Sequence, residues 1–189
     1  MKLLITSVPW TDTESPLMAP ALLKTMCVSK GLPTTAIDLN QVVIRYIQGK
    51  YPEAICQNIQ QFFYTGHKTF DQHAVVDTIN FIVSQILLRK PTHVALSLLT
   101  YTSQVACEWI CFRLRLLDPQ LKIIIGGAGV FNTLESKTNF GEKLLQQGQI
   151  DYYIKGDGDL SLPDLVLKDS KEVNGVNQTT WTQVPDFNN

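Results

Sequence analysis

The chain has 189 residues, 44% hydrophobic and 17% charged, a balance that excludes a disordered polymer and fits a globular protein. Its 16 basic residues against 17 acidic ones leave a formal charge of −1, so it presents no basic field to a phosphate backbone or an anionic membrane. A chain of this size buries roughly 70% of its unfolded surface, and neither disulfides nor zinc is needed to hold it.

Residues 2–8 form a short apolar run stopped by Pro9, which predicts a buried first strand. A loop, Pro9-Trp10-Thr11-Asp12-Thr13-Glu14-Ser15-Pro16, follows. Leu17, Ala21, Leu22, Met26 and Cys27 then recur at helical spacing up to Lys30, with Gly31 as the stop. Thr34 to Leu39 reads as the second strand, closing a right-handed βαβ unit. Residues 40–90 hold helical material and no strand. Val42, Val43, Tyr46 and Ile47 mark one helix, Pro52 opens a second in its first turn, and Asp71 to Arg89 carries a third. One crossover needs one helix, so about 40–90 is a helical insertion. Its polar and aromatic stretch 60–70 is expected to be a loop, a place for a lid or contact surface.

His93 to Leu99 is the third strand, apolar enough to be buried on both faces. A helix over 103–117 ends at Asp118-Pro119. Leu121 to Ile125 is the fourth strand, a helix covers 133–147, Asp151 to Ile154 is the fifth strand, and a short helix runs to Leu167. Alternation of strand and helix implies an α/β fold: a five-stranded parallel sheet with helices on both faces, in the flavodoxin-like, Rossmann-like order 2-1-3-4-5. The domain is expected to span 1–168, with a polar tail or linker over 169–189.

Ligands of such sheets bind beyond the carboxyl ends of the strands, which directs attention to loops 9–17, 97–104, 126–133 and 155–160. Ser97, Thr100, Tyr101, Thr102 and Ser103 offer hydroxyls to a polar ligand, although Thr102 or Ser103 also suits a helix N-cap. Gly126, Gly127, Ala128 and Gly129 either admit a ligand against bare backbone or form a tight turn. Gly156-Asp157-Gly158-Asp159 places two carboxylates at a helix start, as a capped turn or a cation site. Cys27, Cys56, Cys107 and Cys111 form no CxxC pair and read as buried core thiols in a reducing compartment. His93 opens a buried strand, and His67 and His73 lie in the insertion. No signal segment, membrane span, P-loop or GxGxxG is present, so the expected location is the cytoplasm, with no nucleic-acid or membrane partner.

Taken in order on these loops, the motifs resemble the cobalamin (vitamin B12)-binding domain at the N-terminus of many radical S-adenosylmethionine enzymes. The likeness rests on Pro16-Leu17…Pro20, Lys30-Gly31 and Asp38-Leu39-Asn40; on Ser97-Leu98-Leu99-Thr100, similar to that family's S-x-L signature; and on Ile125-Gly126-Gly127. It also rests on Gly156-Asp157-Gly158-Asp159 with Leu162-Pro163-Asp164-Leu165, similar to a G-E-G-E element and its short helix, and on Val184-Pro185-Asp186-Phe187, similar to the linker before the catalytic barrel.

The resemblance implies cobalamin as cofactor. Ser97, Leu99, Thr100, Tyr101 and Thr102, with Gly126, Gly127, Ala128 and Gly129, would line the channel for its nucleotide tail. Trp10, Thr11, Asp12, Glu14 and Leu17, with Gly156, Asp157 and Gly158, would face the corrin. Glu14 stands where other cobalamin domains carry the His of D-x-H-x-x-G, so no protein imidazole on cobalt is expected. The CxxxCxxC triad of a [4Fe–4S] cluster is absent, since Cys107-x-x-x-Cys111 has no third member. The resemblance thus implies a module without catalysis of its own that serves a radical S-adenosylmethionine partner or barrel. The alternatives are a degenerate scaffold of the same fold and a flavin- or nucleotide-binding flavodoxin-like protein.

Overall fold

The computed structural model describes residues 1–10, 18–66, 71–131, 139–156, 158–169, 173 and 175–177. Five strands, β1 (Leu3–Ser7), β2 (Thr34–Ile37), β3 (His93–Ser97), β4 (Lys122–Gly126) and β5 (Tyr152–Ile154), form one parallel sheet in the order β2-β1-β3-β4-β5. This is the expected fold.

Strand alternation divides the core in two. Leu4, Val94, Leu96, Ile123, Ile125 and Tyr153 point to one face, and Leu3, Ile5, Ala95, Ile124, Tyr152 and Ile154 to the other. The first face is covered by α2 (Leu39–Lys50), α3 (Glu53–Thr65), α4 (Gln72–Leu87), α5 (Gln104–Leu117) and α6 (Phe140–Gln146). The second carries α1 (Met18–Ser29) and α7 (Gly158–Lys168), which pack against each other. A Lys30–Asp164 ion pair at 2.6 Å ties these two helices together on the outside.

The insertion is the three helices α2, α3 and α4, each started by local chemistry. Asp38 caps α2 by accepting from Asn40 N, and Asp71 caps α4 by accepting from Ala74 N. Pro52 sits at the N-cap of α3, one place before the first turn, and Gly66 ends the helix with φ 70°. Residues 60–65 are therefore helical and not the expected loop, because Phe63 is buried in the core; residues 67–70 lie outside the described residues. One Asp77 oxygen accepts from Tyr46, Tyr51 and Lys50 at 2.6–2.7 Å and so pins α2 to α4.

Beyond α7 the chain returns to the open edge of β5. Val176 bridges Ile154 antiparallel, Lys155 N donates to Gly175 O, and Asn177 Oδ1 accepts from Tyr153 N. Val173 and Val176 are buried there, a docking that the polar composition of this stretch does not announce.

Candidate functional site

The carboxyl ends of β1, β3 and β4 are level, because Ser7 pairs with Ser97 and Ser97 with Gly126. On the face covered by α1 and α7, β3 and β4 end in small residues: Ala95 and Ser97 on β3, Gly126 on β4. These small side chains cannot fill the space beneath two helices, and a cleft of about 330 Å³ opens there. That volume lies at the low end of small-molecule sites, roughly 300–1,000 Å³. Ile5, Ala95, Ile124 and Ile154 floor it together with Ser97 and Gly126. Ala19, Leu22 and Leu23 of α1 form one wall, Gly158, Asp159 and Leu162 of α7 the other, and Gly127, Ala128 and Gly156 the rim.

The glycines of the β4 turn have separate reasons to be glycine. Gly127 has φ 99°, and a Cβ there would sit 2.3 Å from Leu98 O. A Cβ on Gly129 would sit 2.3 Å from Thr100 O. Backbone meets backbone at both points, and Gly129 N donates to Leu98 O at 3.1 Å. A Cβ on Gly126 meets nothing nearer than Ile154 Cβ at 3.7 Å. The turn requires two of the three glycines, while Gly126 leaves the cleft open.

Of the residues singled out in the sequence, Ser97, Gly126, Gly127, Ala128, Gly156 and Gly158 come together at the cleft. Leu99, Thr100 and Tyr101 are exposed on the loop above β3, and the Thr100 and Thr102 hydroxyls lie 2.5 Å apart. Ser103 does not cap α5. Its hydroxyl reaches across to Trp10 O at 3.4 Å. Trp10 is buried, its ring 4.7 Å from that of Phe63 in α3, so it belongs to the core beneath the insertion and does not line the cleft. Thr11, Asp12, Glu14, Leu17 and Asp157 lie outside the described residues. The walls and floor were missed by sequence reasoning, because Ile5, Leu23, Ile124 and Leu162 look like ordinary core. The available signal was the small residues Ala95, Ser97 and Gly126, on one face of neighbouring strands.

The described histidines and cysteines lie off the cleft lining. His93, the first residue of β3, is at the opposite end of the sheet, with Nδ1 3.0 Å from Thr92 Oγ1. His73 is in α4. Burial raises the Cys27 thiol to about 11 and lifts Cys107 well above its ordinary value, with Cys111 Sγ 3.8 Å away. These are inert core thiols. Among the described residues no group of three or more His, Cys, Asp or Glu is arranged to hold a metal ion, and no helix is long and apolar enough to cross a membrane.

No family model matches the chain, and no curated protein matches it in sequence. Solved structures share its fold. One is the radical S-adenosylmethionine methyltransferase TsrM from Kitasatospora setae, with tryptophan substrate and the S-adenosylmethionine analogue aza-SAM bound (TM-score 0.56, 15% identity). A second structure of TsrM, with cobalamin and a [4Fe-4S] cluster bound, has the same score and identity. The alignments cover 95% of this chain but only 28% and 29% of TsrM. A third is a novel cobalamin-binding protein from Desulfitobacterium hafniense DCB-2, with TM-score 0.50 and 14% identity, covering 88% of this chain and 57% of that one.

Proposed function

We propose that this chain is a cobalamin-binding module, located in the cytoplasm, that serves a radical S-adenosylmethionine catalytic partner. The observation that carries the reading is the cleft beneath α1 and α7, floored by Ala95, Ser97 and Gly126 at level strand ends. It occurs in a fold shared with one protein solved with cobalamin bound and another described as cobalamin-binding. The residues fit such a ligand: the cleft is mostly apolar and unobstructed by any side chain from Gly126.

In this reading the nucleotide tail passes Ser97 and the Gly126–Ala128 rim into the cleft. The corrin lies over the strand ends, near the exposed Leu99, Thr100 and Tyr101. Cobalamin, when bound, supplies a cobalt centre able to carry a transferable group. His93 lies at the opposite end of the sheet, and Glu14 stands where other cobalamin domains carry the ligating His, which supports a corrinoid held without a protein imidazole. The module binds and orients; the radical chemistry belongs to the partner, which must supply the iron–sulfur cluster.

The test is to mix the purified protein with hydroxocobalamin, desalt it and record the visible spectrum. Corrinoid retained near one equivalent supports the proposal. A colourless protein overturns it in favour of a scaffold, and flavin carried through purification overturns it in favour of a flavodoxin-like carrier.

A further inference from the structure

Helix α5 is apolar on two sides. Ala106, Cys107, Ile110, Cys111 and Leu114 face the core and are buried. A helix resting on a core needs one such stripe, with polar residues opposite. Opposite this one stand Val105, Trp109, Phe112 and Leu116, at spacings of four, three and four residues. Trp109 is 40%, Phe112 53% and Leu116 58% exposed, although Trp109 also meets Phe62 of α3 edge-on at 5.9 Å. The stripe continues at its foot into a groove where α4 and α5 end, and there Leu117 and Leu88 are more than half exposed. Trp109, Phe112, Leu116, Leu117 and Leu88 together present roughly 500 Å² of mostly carbon surface, a size that marks an interaction site on a soluble protein.

Charged residues border the stripe on its two flanks. Glu108 lies on the α6 side, where both carboxylate oxygens accept from Lys143 Nζ at 3.0 Å. Arg113 lies on the α4 side, where Nε donates to Asn80 Oδ1 at 3.0 Å. The apolar spacing is the repeat of helices that pair along their length, and Glu108 and Arg113, five residues apart, hold the positions just outside it.

We infer that α5 is the contact by which two copies of this chain form a parallel, two-fold symmetric dimer. The inference goes beyond the proposed function and does not depend on it. Charge fixes the orientation. In a parallel pair Glu108 of one copy faces Arg113 of the other, and symmetry makes that contact twice. In an antiparallel pair Glu108 would face its own copy, as would Arg113, and like charges repel. The area also suits a second copy. A standard interface buries roughly 800 Å² on each partner, about 65% of it apolar between identical subunits, and this stripe with its charged rim supplies that share.

Sedimentation velocity of the intact chain, at concentrations rising into the high micromolar range, tests the inference. A dimer is expected. A chain that stays monomeric throughout overturns the inference and leaves the stripe to a different protein. Phe112→Asp, shown folded by a circular-dichroism melt, is expected to weaken the dimer at least thirtyfold, as loss of a central aromatic anchor does. An undiminished dimer in that variant places the contact elsewhere and overturns the inference. Glu108→Arg and Arg113→Glu each set like charges against one another, and each is expected to weaken self-association about tenfold. Mixed in equal amounts, these two variants are expected to pair within about threefold of the parent affinity, because both contacts are again opposite in sign. Unchanged self-association of the single variants overturns the parallel arrangement, and a mixture that fails to recover overturns the pairing of Glu108 with Arg113. No residue of α5 lines the cleft, so these outcomes are separate from those of the cobalamin test.

Discussion

Gly127 and Leu98 touch through their backbones, so closely that a Cβ on Gly127 would lie 2.3 Å from the Leu98 carbonyl oxygen. The neighbouring Gly126 has space for one. Two adjacent glycines therefore answer to different demands, and substitution separates them. Gly127→Ala adds a clash to a positive φ and is expected to cost about 2–4 kcal/mol of stability. Gly126→Ala is expected to change stability by less than about 1 kcal/mol. Urea midpoints of the two variants check this, and equal losses would refute the division.

The same pair shows what could be read from the sequence. The strands were legible because each is a short apolar run between turn residues, and the helices because their apolar positions recur every three or four residues. The sheet order followed from alternation and crossover handedness. The cleft was not legible as a shape, since it depends on register: only pairing brings Ala95, Ser97 and Gly126 side by side beneath α1 and α7. Trp10 illustrates the converse. In sequence it belongs to a loop over the strand ends, yet Phe63 of the distant α3 covers it. Long-range packing of this kind leaves no local periodicity to detect.

His93 should make the fold sensitive to mild acid. Burial holds its imidazole below the ordinary 6.5; Asp169 and Asp151 pull upward, while Lys122 and the chain N-terminus push downward. The folded chain therefore resists protonation there more than the unfolded chain does. This contribution to stability is fully present above pH 6.5 and is lost as pH falls from 6.5 towards the lowered folded value. Denaturant midpoints from pH 8 to 5 should decline in the parent and decline less in His93→Asn. Parallel curves would exclude His93 as the source.

Asp151 acts in a lower window. Burial, the largest single influence, opposes its ionisation. The Ile123 N–H at 2.9 Å and the Arg115 guanidinium at 2.7 Å, with Lys122 farther off, nevertheless hold it below the ordinary 3.8. Its contribution is thus present above pH 3.8 and lost as pH falls through the depressed folded value. Asp151→Asn leaves a half-buried Arg115 without its carboxylate and is expected to cost about 1–3 kcal/mol at neutral pH. The variant should also show a shallower loss of stability below pH 4. An unchanged neutral-pH midpoint would show that Arg115 is adequately solvated without Asp151.

The return of the chain to β5 should be part of the folding unit. Val173 and Val176 are 8% and 2% exposed, and Tyr152 donates to Asp169 at 2.9 Å. Ending the chain after Lys168 removes both valines, the Asp169 acceptor and the Asn177 Oδ1 that receives Tyr153 N–H. Loss of the two buried side chains alone is expected to lower stability by about 2–4 kcal/mol relative to the full chain. Hydrogen exchange supplies a local readout, because the Tyr153 and Lys155 amides bond to Asn177 and Gly175 in the full chain. Both should exchange faster in the shortened one, while the amides of β1 and β3 slow or quicken only with global stability. If the truncated chain melts with the full one and keeps both amides protected, residues after Lys168 are an appendage and β5 is stable as a bare edge.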